Sequence, residues 1–393
     1  MFARRLFVAP IVSLVLGTLA ACAADRTTAP SVPPQNPKSP ADTATVPAGG
    51  TPLTYRYGAK FEPPVGRVVH GLGQWAEYNA KYVPLLPSAN QPASELSFIP
   101  IADSVRPWNP SQIAAGLAAM DARGRIPLVN LSLFAGQPTP AELAGMSDPL
   151  FGVDDEIANG TKWDARLADF ANVLKAYRKP VLLRIGGEFN GWWNGYHPYD
   201  FPKAYRKIAT MIRATGADNV AFVWCYEPAG PGDFDEKNAA GASKWYPGDD
   251  VVDWFSIDLF NTADFSGATT GHGALTPFGR TLKFLDMAVA KSRPVVIAES
   301  SPALIDLAVN GATAWSDWFA PYFGLMATRP EIEWFVYINY DWGKAGYYAS
   351  QGWKNNDLSA NTALAAQYAG ELARAKYLHS GERALLKDYG KYK

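Results

Sequence analysis

The feature that most constrains this chain is a series of eight short apolar runs, rich in β-branched and aromatic residues and bounded by turn formers. They are Arg67–Gly73 (RVVHGLG), Leu96–Asp103, Ile126–Phe134 (IPLVNLSLF), Val181–Glu188 (VLLRIGGE), Asn219–Tyr226 (NVAFVWCY), Val252–Phe260 (VDWFSIDLF), Pro294–Glu299 (PVVIAE) and Ile332–Tyr340 (IEWFVYINY). Helix-length amphipathic stretches separate most of them. Trp163–Tyr177 and Pro202–Thr215 place apolar residues three and four apart, the spacing of a helix with one buried face. Strands alternating with helices imply parallel βαβ units, and eight such units in about 290 residues fit a closed (β/α)8 barrel. The rival arrangement, an open doubly wound sheet, lacks a glycine-rich phosphate turn after the first strand.

Residues ahead of the first run read as targeting and tether. Arg4 and Arg5 precede an apolar run from Leu6 to Leu19 that is short for a membrane span. The sequence Leu19-Ala20-Ala21-Cys22 follows and resembles a bacterial lipobox, which implies acylation of Cys22 and anchoring by lipid alone, with Ala23 pointing to the outer membrane. Residues 1–21 are therefore expected to be a signal peptide. Residues 22–54, rich in Ala, Thr, Pro and Ser, are expected to be an extended tether, since they offer too little apolar surface to offset the entropy of ordering. Residues 55–393 then form one large domain.

Composition excludes several classes of function. A net charge of −1 offers nothing to nucleic acid. With Cys22 modified, Cys225 is left alone in an apolar run and reads as a buried structural thiol. Two cysteines and four scattered histidines supply no metal-ligand cluster, and no cofactor is implied. His70 reads as a satisfied interior histidine. Thirteen tryptophans, many beside Gly and Asn, suggest ring faces available to sugars.

In a (β/α)8 barrel the chemistry collects where strands end at their C-terminal side. Two glutamates end strands here: Glu188 in RIGGEFNGWWNGYHP and Glu299 in RPVVIAESSP. Strand alternation is expected to put Arg184, Gly186 and Glu188 on one inward face. Arg184 is then placed to hold Glu299 ionised, or to pair with Asp258 on the sixth strand. Trp192, Trp193, Trp224, Tyr226 and Trp342 are the ring candidates for sugar binding, and Asn190 is a candidate hydroxyl partner. Glu227 and Asp341 read as supporting residues.

These motifs resemble clan A of the glycoside hydrolases, and within it family 26, best known for β-mannanases. The resemblance runs from about Tyr55 to Leu378 and is carried most specifically by Val181–Trp193 (VLLRIGGEFNGWW), then by NVAFVW, by WYPGDDVVD leading into SIDLF, and by the strand ending at Glu299. It implies Glu188 as acid/base and Glu299 as nucleophile, with carboxyl groups roughly 5–5.5 Å apart and retention of configuration. Trp342 would be the platform under the reacting sugar. The implied partner is a polysaccharide (β-mannan first, β-glucan or xylan next), met by a monomer. Gly187 stands where the family usually has His, and Phe260 where it usually has Tyr. Those two departures favour one alternative, a surface lipoprotein that binds glycan without cutting it; a further alternative, a transglycosidase that remodels a surface polymer, would use the same residues.

Overall fold

The apolar runs pair where their spacing predicts. A computed structural model describes residues 52–102, 107–134 and 150–392. Cys22 and nearly all of the tether lie outside the described residues, as does Asp103 at the end of the second run. Eight parallel strands, named here β1 (Val68–Leu72), β2 (Ser94–Pro100), β3 (Ile126–Ser132), β4 (Val181–Glu188), β5 (Val220–Tyr226), β6 (Trp254–Leu259), β7 (Val295–Ser300) and β8 (Ile332–Tyr337), pair in sequence order. Pairing of β8 with β1 closes the ring, with Val69 opposite Trp334. The fold is the expected (β/α)8 barrel.

Boundaries moved where polar residues join the ladder. β2 starts two residues before its apolar run, because Ser94 pairs with Gly71 on one side and Ile126 on the other. Glu95, polar and invisible to a hydrophobic pattern, is held by Arg123 and by Arg125 at 2.6 Å. The amphipathic stretches are helices at Asp164–Tyr177 and Phe201–Ala214. The latter buries Phe201, Ala204, Tyr205, Ile208, Ala209 and Ile212, a stripe at three- and four-residue spacing. Between β5 and β6 the chain runs through residues 227–253 without a helix. The glycine-rich loop after β6 carries a two-stranded hairpin, Thr270–Gly271 with Ala274–Leu275. No described helix is long and apolar enough to cross a membrane.

Two packed layers result. The barrel interior holds Val69, Leu96, Leu128, Leu182, Ala221, Val223 and Val296. Its floor is filled by Phe61, Trp254, Trp334 and Tyr389, with Trp254 donating to the Lys60 carbonyl at 2.8 Å. The larger outer layer lies between strands and helices. On β5 the alternation sends the small Ala221 and Val223 inward, and Phe222, Trp224 and Tyr226 outward. Trp224 stacks on Phe189 at 4.4 Å and 2°, and Tyr226 on Phe284 at 4.9 Å. Neither lines the cleft, contrary to the expectation from the sequence that both would bind sugar. The positions of β5 that face the interior are the small Ala221 and Val223, and its large rings fill the helix layer.

Candidate active site

Strand β4 departs from simple alternation at its end. Gly186 and Gly187 take φ of +81° and +68°, values that favour glycine, and pairing with β5 shifts register between Arg184 and Glu188. A Cβ on Gly186 would point outward, 2.6 Å from the Phe201 ring; one on Gly187 would point inward, 2.9 Å from Asn130 Oδ1. Gly186 therefore does not share the face of Arg184 and Glu188. The extra residue re-aims the strand end and leaves Glu188 opposite Cys225. It also gives the reason for Gly187: a histidine there would need a different backbone.

The bulge brings Glu188 to a buried group of charges. Arg184, 1% exposed, donates from Nη1 to Glu299 Oε1 at 2.5 Å and from Nη2 to Asp258 Oδ2. The two pairings left open by the sequence both occur. Asp258 sits opposite Glu299 across the β6–β7 pair, and its Oδ1 accepts the Glu299 backbone N–H at 2.9 Å. Burial pushes the Asp258 carboxyl well above its ordinary range, against the pull of the Arg184 guanidinium. Burial, and then the charge of Glu299, push the Glu188 carboxyl up to about 7, against the opposing pull of Arg184. Burial likewise raises the Cys225 thiol, which stays uncharged beneath the site.

Several residues singled out from the sequence support these carboxyls rather than face a ligand. Arg184 is buried and gives its two Nη groups to Asp258 and Glu299, so it positions these carboxyls, while its Nε finds no partner among the described residues. Trp193, 4% exposed, donates its Nε1–H to Glu188 Oε2 at 2.6 Å. Asn190 is tied to the end of β5 in both directions, Nδ2 to the Glu227 carbonyl at 2.7 Å and Oδ1 from the Glu227 N–H at 3.0 Å. Its amide mimics one more rung of the ladder and is not offered to a sugar. Trp342, 2% exposed, is caged by Trp75, Tyr340, Tyr348, Trp353 and Phe260 and donates to Ser301 Oγ at 3.1 Å. No open face is left on it; its ring braces the segment after Glu299. Phe260 fills with ring packing, 5.0 Å from Trp353, the place where a hydroxyl was expected.

Of the five ring candidates, Trp192 alone is exposed. Trp192, in the loop that follows Glu188, is 37% exposed and meets Trp193 edge-on at 5.8 Å. The sequence did not separate these neighbours; only the 3-10 turn at Trp192–Asn194 sends one outward and the other to Glu188. Asp258 was named in sequence only as a partner for Arg184. Its spacing two residues before the end of the sixth run was the available signal for a larger role. Asp154, Asp155 and His197 bring ligand-type atoms within 4.8 Å of one another. His197 Nδ1 lies 2.9 Å from Asp154 Oδ1 and its N–H donates to Oδ2 at 2.8 Å, an arrangement that fastens the loop after β4 to the segment after β3.

The closed barrel carries Glu188 at the end of β4 and Glu299 near the end of β7, the two places that the resemblance to clan A implied. Residues 150–312, a span containing both Glu188 and Glu299, match the model of glycosyl hydrolase family 26, so the resemblance read from the motifs holds. Across 64% of its length the chain is 29% identical to a beta-1,3-xylanase of a Vibrio species, and across 62% it is 28% identical to a beta-1,3-xylanase of an Alcaligenes species. The matches span 56% and 53% of those two proteins, about half their length. Among solved structures, a GH26 protein of a Muricauda species aligns over 80% of this chain and 87% of its own, at 16% identity and a TM-score of 0.54. A GH26 beta-mannanase of Bacteroides ovatus aligns over 84% and 93%, at 11% identity and 0.51. Identities this low speak to the shared barrel alone.

Proposed function

We propose that the protein is a retaining, endo-acting glycoside hydrolase of a β-linked polysaccharide, with Glu188 as acid/base and Glu299 as nucleophile. The observation that carries this reading is that the buried Glu188 at the end of β4 feels the charges of Glu299 on β7 and of Arg184, which is itself paired with Glu299. Cleavage builds negative charge on the leaving oxygen and positive charge at the anomeric carbon. A buried Glu188 that keeps its proton to about pH 7 is suited to the first. Glu299, ion-paired with Arg184, is suited to the second. Trp192 offers the exposed face on the Glu188 side for a neighbouring sugar.

The names of the relatives aligned over most of the barrel put β-1,3-xylan first among substrates, ahead of the β-mannan suggested by family resemblance. The test is incubation of the soluble domain with a panel of xylans, mannans and β-glucans, reading new reducing ends. Glu299→Ala should abolish turnover and regain part of it with azide, giving a glycosyl azide of inverted configuration. Reducing ends from none of the panel, with retained binding in affinity gels, would make the protein a glycan receptor instead. We extend the proposal to location: acylated Cys22 holds the domain at the outer membrane, so Cys22→Ser should move it from the membrane fraction to the soluble one.

A further inference from the structure

We propose that Trp75 and Tyr340 form a second sugar platform at the barrel mouth, across from Trp192, and that it holds a neutral polysaccharide on the side of Glu299. The inference rests on the hydrolase reading and adds to it the course of the bound chain. Trp75 follows β1 and Tyr340 follows β8. The strands pair in order and β8 closes on β1, so these two ends are neighbours, with β4 and Trp192 halfway round the ring. Both rings stand beyond the C-terminal ends of strands, where a (β/α)8 barrel gathers its ligand contacts. They stack at 4.0 Å and 19°, and both are half-buried, in contrast to the enclosed Trp342.

The pair is held from behind. Trp342 meets Trp75 edge-on at 5.0 Å and Tyr340 at 4.9 Å, and Tyr78 meets Tyr340 at 4.8 Å. The backbone is fixed as well. The Trp75 carbonyl accepts the Asn79 N–H at 2.8 Å, Asn79 Nδ2 donates to the Gly73 carbonyl at 2.7 Å, and the Tyr340 carbonyl accepts the Asn356 N–H at 2.9 Å. Rings ordered before binding lose little freedom when a sugar covers them. Gln74, beside Trp75 and also half-buried, has an Oε1 without a partner among the described residues, so an acceptor accompanies the rings. Charges around the pair are matched: Lys344 lies 3.3 Å from Asp341, and Lys81 lies 3.6 Å from Asp357 and 3.7 Å from Glu77. Such a border favours an uncharged glycan over a polyuronide.

Trp342 ties the platform to the strand of the proposed nucleophile. Its Nε1–H donates at 3.1 Å to Ser301 Oγ, two residues after Glu299, and β7 pairs directly with β8. Trp192 instead shares its loop with Glu188. In the proposed reaction the leaving oxygen takes its proton from Glu188, while the anomeric carbon bonds Glu299. The sugars that depart therefore run toward Trp192, and those that stay on Glu299 run toward Trp75 and Tyr340. Rings on both sides give a cleft that can hold a chain at each end, as internal cleavage requires.

Aryl β-glycosides of increasing length, in the sugar the protein cleaves, test this, because the aryl group takes the leaving side and each added sugar extends toward Trp75. In the native protein kcat/KM should jump on adding the sugar that reaches the ring pair. Trp75→Ala should cut that jump by about three- to tenfold, the worth of one aromatic contact. Equal loss at every length would make Trp75 a brace for Trp342, and an unchanged series would remove it from binding; either result overturns the proposal. Should Trp75→Ala fail to fold, the Trp75 indole N–H signal of the Glu299→Ala protein serves. It should move on titration with xylo-, manno- or gluco-oligosaccharides, and a signal that none of them moves overturns the idea. A polyuronide that moves it more than every neutral chain would overturn the choice of ligand. Trp75-dependent binding in a native protein that cleaves nothing would refute the hydrolase reading alone. Cleavage with an unchanged length series would refute the platform alone.

Discussion

Trp193 shows how one indole N–H bears on the carboxyl proposed as the acid. Its bond to Glu188 Oε2 at 2.6 Å favours the ionised carboxyl and opposes the burial that holds the group near 7. Trp193→Phe keeps the ring and deletes the donor. Hydrogen bonds to a charged group contribute about 1.5–3 kcal/mol, and one pKa unit is about 1.4 kcal/mol. The basic limb of activity should therefore rise by about one pH unit, because Glu188 in its proposed role must be protonated to donate and would keep its proton to higher pH. A limb that stays in place, measured on an activated aryl glycoside and on polysaccharide, would mean the bond has no electrostatic role. Trp192, one residue earlier, should show no such shift. Trp192→Ala should raise KM for long chains and leave the pH profile alone, since its ring is exposed and bonds no carboxyl.

At the scale of the element, the end of β4 depends on its two glycines. Both occupy left-handed backbone, and the inward Cβ position of residue 187 is already closed by Asn130 and Arg184. Gly187→Ala would add about 1–2 kcal/mol of backbone strain and a contact at 2.9 Å with Asn130 Oδ1. The expected outcome is a lower Tm together with lost activity, because relief of the contact displaces the Arg184–Glu299–Asp258 network. An alanine variant with native melting and turnover would show that the bulge is tolerant. β5 makes the complementary point. Its rings face the helices, and its inward face is small, so that Cys225 can lie beneath the carboxyls without crowding them.

Across the whole molecule, ionisable groups lie buried at both ends of the barrel. At the floor Glu62 accepts the N–H groups of Tyr57 and Ala59, each at 2.7 Å, and Glu333 meets both Glu62 and Arg56. Burial first, and the charge of Glu62 next, push Glu333 up to about 9. A carboxyl raised on folding favours the folded state fully below its unfolded pKa near 4.3 and loses that contribution as pH climbs toward 9. Glu333→Gln should therefore melt like the native protein at pH 4 and higher than it at pH 8, by the equivalent of about 1–3 kcal/mol. Identical melting at both values would remove the floor carboxyl from any account of alkaline stability.

What was legible in the sequence follows from periodicity. Burial on both faces makes parallel strands read as apolar runs, so eight strands, their order and the two glutamates that end β4 and β7 could be found without coordinates. The direction of each side chain could not. Trp224 and Tyr226 share a face by alternation, but whether that face meets sugar or helix depends on how much volume the closed interior has left. The Gly186–Gly187 bulge breaks the count that alternation relies on, and the fates of Trp192 and Trp193 separate within one turn. Asp258, Arg184 and Glu299 come from three strands spread over more than a hundred residues. Periodicity is a local property of the chain, whereas a charge network and a filled cavity exist only once distant strands have closed on one another.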